Sequence, residues 1–269
     1  MRFFLTFMLC GAAFLGNAQT VHQPVAAIYP GLGAYSAAHT NTFSFTSNQA
    51  ALATAKKISV GVYGEKRFML QNLGFYQLAA IVPTSSGNFG LKGGYFGGPE
   101  YNEAQVGIAY GRDLGSKMSV GAQFNYNSFS TASYGNASSI NFEVGAIFHV
   151  TNQLHAGFHA YNPVGSKLIK NAEEKLPAIY TIGVGYEPSE ALLLSGEIKK
   201  TEDLPIDVRA GVQYIIDKKI VASAGISSGS STYYFGAGVV LKDFQIDAIA
   251  TVHPQLGITP GIMLLFNVK

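Results

Sequence analysis

The stretch from Ser138 to Val150 carries the pattern that the rest of the chain repeats. Its even positions from Ile140 to Val150 are all apolar, and its odd positions hold Asn141, Glu143, Gly145 and His149, with Ile147 the one exception. Successive side chains of a strand point to opposite faces, so this is a ribbon with one greasy and one polar side. A soluble sandwich buries the greasy side in a core, whereas a membrane barrel turns it to lipid.

The alternation predicts fourteen strands, over 57–64, 73–82, 88–96, 102–112, 117–127, 138–150, 153–162, 178–187, 191–200, 205–216, 219–228, 232–242, 244–252 and 257–268. The second is the least regular, because Gly74, Gln77 and the run from Ala79 to Val82 blur its period. Apolar sets such as Val106/Ile108/Tyr110 and Tyr180/Ile182/Val184/Tyr186 end in Tyr or Phe, where an interfacial aromatic girdle would sit. The opposite faces carry small and polar residues. Gly107, Gly121, Gly145, Gly183 and Gly211 recur there and leave room inside a barrel, for which the N-terminal segment is the candidate filling.

The connections separate a barrel from a sandwich. Turns after even-numbered strands are tight, as at 113–116 and 151–152, while those after odd-numbered strands run longer, as at 65–72, 128–137 and 163–177. Greek-key sandwiches have no such parity, and outer-membrane barrels do, with short periplasmic turns and longer outside loops. The expected fold is therefore an all-β transmembrane antiparallel barrel of about 14 strands with a short N-terminal hatch. Its expected location is the Gram-negative outer membrane, with both termini periplasmic.

Ahead of the strands, Asn48 caps a short predicted helix over 49–55, with Ala50 and Leu52 as hatch residues beside the cap. Residues 1–18 read as a secretory signal peptide, with Arg2 as the positive end and Gly16-Asn17-Ala18 as the cleavage site. The chain then divides into the signal at 1–18, the hatch segment at 19–56 and the barrel at 57–269. The one cysteine, Cys10, falls in the signal, so thiol catalysis and thiolate metal sites drop out of the mature chain. No run of 18 apolar residues follows, so any membrane crossing is by strands.

Composition agrees. Only 13% of residues are charged against 48% hydrophobic, and the net charge of +2 calls for no nucleic-acid partner. Candidate chemistry is sparse. His155 and His159 share a strand face about 13 Å apart, too far for one metal ion, although His149 stands across a tight turn from His155. Asp247 and His253 offer an acid and a base, but no spacing singles out a nucleophile, so no catalytic residue, metal or cofactor is expected. Glycine pairs such as Gly183/Gly185 lie within strands and are not phosphate loops. One hairpin does place charges on the inner face: Glu197 opposite Arg209 and Lys199 opposite Asp207, two opposite-charge pairs from a single register. The longest loop, with Lys167, Lys170, Glu173 and Glu174, is the candidate partner surface.

Three stretches carry a family resemblance. Gly31-Leu32-Gly33-Ala34-Tyr35 followed by Asn48-Gln49-Ala50-Ala51-Leu52-Ala53 resembles the hatch of the long-chain fatty acid transporter (FadL) superfamily. Gln49 stands where that motif has Pro and Ala51 where it has Gly. Tyr161-Asn162-Pro163-Val164-Gly165, and the tail from Leu204 through Phe244-Gln245-Ile246-Asp247 to Pro260, look like the PorV/PorQ-like branch of Bacteroidota. That resemblance implies a non-enzymatic accessory protein of a type IX-like secretion system, with outer-membrane lipid and other outer-membrane or secreted proteins as partners. The alternative it leaves open is a FadL-type transporter of a hydrophobic small molecule. The mostly small and polar inner face favours the first; a continuous apolar pocket beside the hatch would favour the second.

Overall fold

The computed structural model describes residues 34–132, 135–167 and 175–268. The expected signal segment, Gly31, Leu32 and Gly33 of the hatch motif, and Lys170, Glu173 and Glu174 of the long loop lie outside them. Among the described residues fourteen antiparallel strands close into one barrel, each paired with its sequence neighbours and β1 with β14. In order they are β1 Ser59–Lys66, β2 Gly74–Thr84, β3 Gly87–Gly97, β4 Tyr101–Asp113, β5 Met118–Thr131, β6 Gly135–His149 and β7 Leu154–Tyr161. They continue with β8 Ile179–Ser189, β9 Leu192–Thr201, β10 Asp207–Ile216, β11 Ile220–Ser227, β12 Thr232–Leu241, β13 Phe244–His253 and β14 Gly257–Asn267. Boundaries shift by a few residues from those the alternation predicts, and the irregular 73–82 segment is a full strand, β2. The pairing of β2 with both β1 and β3 supplies what its blurred period could not.

Closure removes the strand edges, so backbone groups are satisfied within the sheet. The faces divide as the alternation requires. Val106, Ile108, Phe124, Ile140, Ile182 and Ile262 point outward and are exposed, on a surface that lipid would cover. Two aromatic belts bound this band. At the long-loop end Tyr76, Tyr95, Tyr180 and Tyr233 face outward; at the tight-turn end stand Phe89, Phe148, Tyr186, Tyr214 and Phe244. Tyr180 and Tyr186 are six residues apart on β8, about 20 Å of strand, comparable to the apolar height of an outer-membrane barrel. The tight turns include Asp217 and Lys218, both at positive φ (49° and 56°), the two-residue geometry that matches strand twist.

The segment ahead of β1 folds inward. Ser44–Thr46 and Gln49–Thr54 are 3₁₀ turns, the second shorter than the predicted helix and tighter. Ala51 N donates to Asn48 O and Ala55 N to Leu52 O, three-residue spacings that a piece too short to nucleate an α-helix adopts.

A cation placed on the outer face should be costly only within the apolar band. Val184→Lys, between the two belts on β8, is expected to lower unfolding stability in lipid by about 2–4 kcal/mol. Ser116→Lys in a tight turn should change it by less than about 0.5 kcal/mol. Urea unfolding in vesicles measures both.

Candidate functional site

The site is the lumen and the segment that closes it. Asn48 is fully buried; its Oδ1 accepts from Ala50 N (3.0 Å) while its Nδ2 donates to the wall carbonyls of Ala146 (3.3 Å) and Phe158 (3.1 Å). One side chain thus caps the 3₁₀ turn and fastens it to β6 and β7. Asn88 Nδ2 holds the other end, donating to Leu52 O (2.6 Å) and Ala55 O (2.9 Å). The wall makes room with glycine. A β-carbon at Gly121 would strike the Gln49 backbone, at Gly145 the Asn48 side chain, and at Gly183 the Tyr35 ring. Ile147, the one apolar residue on the polar face of its strand, packs with Ala34, Tyr35, Ala50 and Ala51. The exception to the alternation is where the hatch sits.

Glu143 anchors the polar half of the lumen. Its carboxylate has no exposure, and it accepts from Gln49 Nε2 of the hatch (2.8 Å). From the wall it accepts from Gln123 Nε2 (3.0 Å), Asn125 Nδ2 (2.8 Å) and His159 Nε2 (2.9 Å), with Lys92 Nζ at 3.7 Å. A buried carboxylate is tolerable only with such a shell of donors and cations. Near the tight-turn mouth Glu187 plays a similar part, accepting from Ser36 Oγ, Ala37 N (3.1 Å) and Ala38 N (3.2 Å).

Across the lumen, β1, β2 and β14 carry an apolar strip within an inner face that is otherwise largely small and polar. Phe43, Phe45 and Leu52 of the hatch pack on Tyr63, Phe75, Ile81, Met263 and Leu265 of β1, β2 and β14. The strand-by-strand pattern hid this. These inner residues are large and apolar on strands whose outer residues are apolar too, so the two faces read alike.

Two spaces remain, one on each side of the hatch. A cavity of about 380 Å³ opens at the long-loop end, lined by Arg67, Phe68, Lys199, Asp207, Arg209 and Tyr234 among others. One of about 410 Å³ opens at the tight-turn end beside His39 and Gln213, whose Nδ1 and Oε1 are 3.1 Å apart. A smaller void of about 20 Å³ lies between Thr46 and Ser47 of the hatch and Glu197, Lys199 and Arg209. Among the described residues the hatch fills the lumen between the two larger spaces.

No family model matches the chain, and no curated protein sequence matches it. Solved structures do. The toluene transporter TodX of P. putida aligns at TM-score 0.65 and 12% identity, over 90% of this chain and 98% of that one. The toluene transporter TbuX of Ralstonia pickettii gives 0.61 and 12% over 89% and 96%. A Pseudomonas aeruginosa FadL homologue gives 0.55 and 12% over 91% and 94%. The chain shares the barrel fold of these proteins. The finer likeness to the PorV/PorQ-like branch rests on the sequence motifs alone.

Within this barrel, the charged hairpin has Lys199 opposite Asp207 and Glu197 opposite Arg209 across the β9–β10 ladder. Arg209 Nη1 lies 3.0 Å from Glu197 Oε1. Lys199 and Asp207 do not form an ion pair. Asp207 instead accepts from Arg209 Nε on its own strand (2.5 Å), from Ser227 Oγ (2.8 Å) and from Gly229 N (2.7 Å). Two acidic side chains thus share one guanidinium, whose fork serves both at once. Lys199 forms no ion pair among the described residues. Lys167 pairs with Lys175 as an isolated bridge at the neck of the long loop.

Asp247 and His253 are not brought together. They lie six residues apart on β13; Asp247 accepts from Gln245 Nε2, and His253 Nδ1 accepts from the Gln255 and Leu256 amides. His149 and His155 do meet, Nδ1 to Nδ1 at 2.9 Å, and His149 Nε2 reaches Ser119 Oγ at 2.9 Å. Ser119 is not a nucleophile in waiting, because it is fully buried and its hydroxyl donates to Asp113 Oδ1 (2.6 Å). No group of three or more metal-ligating side chains occurs among the described residues.

Substitutions at two positions test the docking. Glu143→Ala leaves Lys92 and His159 buried without their carboxylate and should cost about 3–5 kcal/mol in urea unfolding, whereas Glu143→Gln keeps hydrogen bonds and should cost less. Gly145→Val should drive the hatch off the wall, opening the buried Phe43 and Phe45 to chymotrypsin while the barrel itself stays folded. At the hairpin, reversing both Glu197 and Arg209 sets a new carboxylate beside Asp207. Thermal melts should therefore show only partial recovery over the single reversals.

Proposed function

We propose that the protein is an outer-membrane passage for a small hydrophobic molecule, closed at rest by its N-terminal segment. One observation carries this reading: the apolar strip of Tyr63, Phe75, Ile81, Met263 and Leu265 beside the hatch, occupied by Phe43 and Phe45. Withdrawing those two rings would join the cavities on either side through an apolar lane. The likeness of the fold to TodX and TbuX, described as toluene transporters, supports the same class of cargo. Phe and Tyr faces suit flat apolar molecules, which would exchange contact with the hatch rings for contact with the wall. We assign no catalytic step to the lumen. In this reading the tight turns and both termini face the periplasm.

A second reading, an accessory component of a type IX-like secretion or assembly complex, is favoured by the closure itself. A hatch held by Asn48, Gln49 and Ser36 could serve as a permanent filling, leaving loops around Lys167 to bind a protein partner.

Uptake of radiolabelled toluene into proteoliposomes separates the two. The passage reading expects uptake above protein-free vesicles and a rise of several-fold when residues 34–56 are deleted. No excess uptake by either form overturns it, and an outer-membrane protein that co-purifies stoichiometrically would then support the second. For orientation, an epitope inserted at Gly165 should label on intact cells and one at Gly115 should not; the reverse pattern contradicts the assigned topology.

A further inference from the structure

The two phenylalanine rings of the hatch meet the wall in one and the same way. A β-carbon on Gly61 would stand 2.6 Å from Phe43 Cε2, 2.9 Å from Phe43 Cζ and 2.9 Å from Leu265 Cδ2. A β-carbon on Gly90 would stand 3.0 Å from Phe45 Cε2, 3.1 Å from Phe45 Cζ and 3.2 Å from Leu52 Cδ2. Each ring thus sets its Cε2–Cζ edge, far from its attachment to the chain, against a bare glycine with a leucine methyl beside it. A glycine within a strand leaves room for such an approach, and any side chain there would fill it.

The flanks repeat as well. Gly61 is paired with Leu265 of β14 and Ala79 of β2, and Gly90 with Ile81 of β2 and Ala109 of β4. Both rows across the sheet run branched aliphatic, glycine, alanine. All four flanking side chains are buried in the apolar cluster around the rings. Ala79 and Ile81 stand two residues apart on one face of β2, about 7 Å, so the two seats adjoin.

We propose that Gly61 and Gly90 floor two binding seats for a monocyclic aromatic hydrocarbon with an unsubstituted edge. Phe43 and Phe45 occupy the seats until such a ring displaces them. A phenylalanine side chain is toluene joined to the chain through its methyl carbon, and the seats touch the part that free toluene shares. The seats rest on the passage proposed above for bringing a cargo to them, and they name that cargo by shape. An unsubstituted edge means two neighbouring C–H groups. Toluene and p-xylene have one; mesitylene, equally apolar, carries methyl groups on alternate carbons and has none. A methyl on the entering edge would run into the glycine backbone.

Methyl NMR of the full chain in lipid nanodiscs, with alanine and leucine methyls labelled, tests this at Ala79, Ala109 and Leu265. Titrated toluene and p-xylene should give nuclear Overhauser contacts from ring protons to these inward methyls, and mesitylene should give none. In Phe43→Ala the toluene concentration at half-saturation of Ala79 should fall by about tenfold, because a tethered competitor is gone. Gly61→Ala should abolish toluene contacts at Ala79 and Leu265 and keep those at Ala109. The atoms that must yield in Gly61→Ala are side-chain ends. If that variant nevertheless fails to fold, toluene against mesitylene in the unaltered chain decides. Equal contacts from the two, no toluene contact in the unaltered chain, or contacts at Ala79 that persist in Gly61→Ala overturn the seats. Toluene uptake without contact at Ala79 overturns the seats and leaves the passage standing, whereas edge-selective contact without uptake supports the seats and overturns the passage.

Discussion

A carboxylate with no access to solvent, Glu143, sets the terms for the inside of this barrel. Burying it is tolerable only because Lys92, His159, Gln123 and Asn125 converge on it from three other strands, and because Gln49 arrives from the hatch. The hatch is therefore part of the shell that satisfies the wall. Removing it leaves a charged group short of a donor, which gives the closed state its electrostatic support. Across the lumen the support is different in kind. The rings of Phe43 and Phe45 meet the wall through apolar contact, which is non-directional and easily exchanged for contact with another apolar body. The hatch is thus fastened by hydrogen bonds at Asn48, Gln49 and Leu52 and by exchangeable contacts at its two phenylalanine rings, the asymmetry that the proposed passage calls for.

Much of the fold is legible in the alternation of the chain, because strand period is a local property and lipid enforces it on the outer face. Ile140, Phe142 and Val144 can only face outward if Asn141 and Glu143 are to be satisfied inside. The parity of the turns is equally local. Strand ends are less so: β2 and β6 extend beyond their clear alternation because their neighbours offer ladder partners there.

The interior is legible only in part, since it depends on what meets across the lumen. The inner glycines announce that something fits against the wall, and Gly121, Gly145 and Gly183 are indeed the positions where a β-carbon would strike the hatch. The exception at Ile147 carries the same message. By contrast, the apolar strip of the lumen leaves no trace in strand period, because Tyr63, Ile81 and Leu265 alternate with outer residues that are apolar as well. The β9–β10 register follows from hydrophobic patterning, yet the choice of Arg209 rather than Lys199 by Asp207 depends on reach and on donors from the β11–β12 turn.

The central claim is that the segment between Tyr35 and Ala55 closes the lumen and must move for anything to pass. A tether tests it directly. A β-carbon at Gly111 would stand 2.8 Å from that of Leu52 and 2.6 Å from the Gln49 carbonyl oxygen, so the wall must give outward there as a disulfide between Gly111→Cys and Leu52→Cys closes. In planar bilayers the oxidised double variant should show no openings, and reductant should restore those of the unaltered protein. Equal conductance in the oxidised and reduced forms, with the cross-link verified by mass, would contradict a moving hatch.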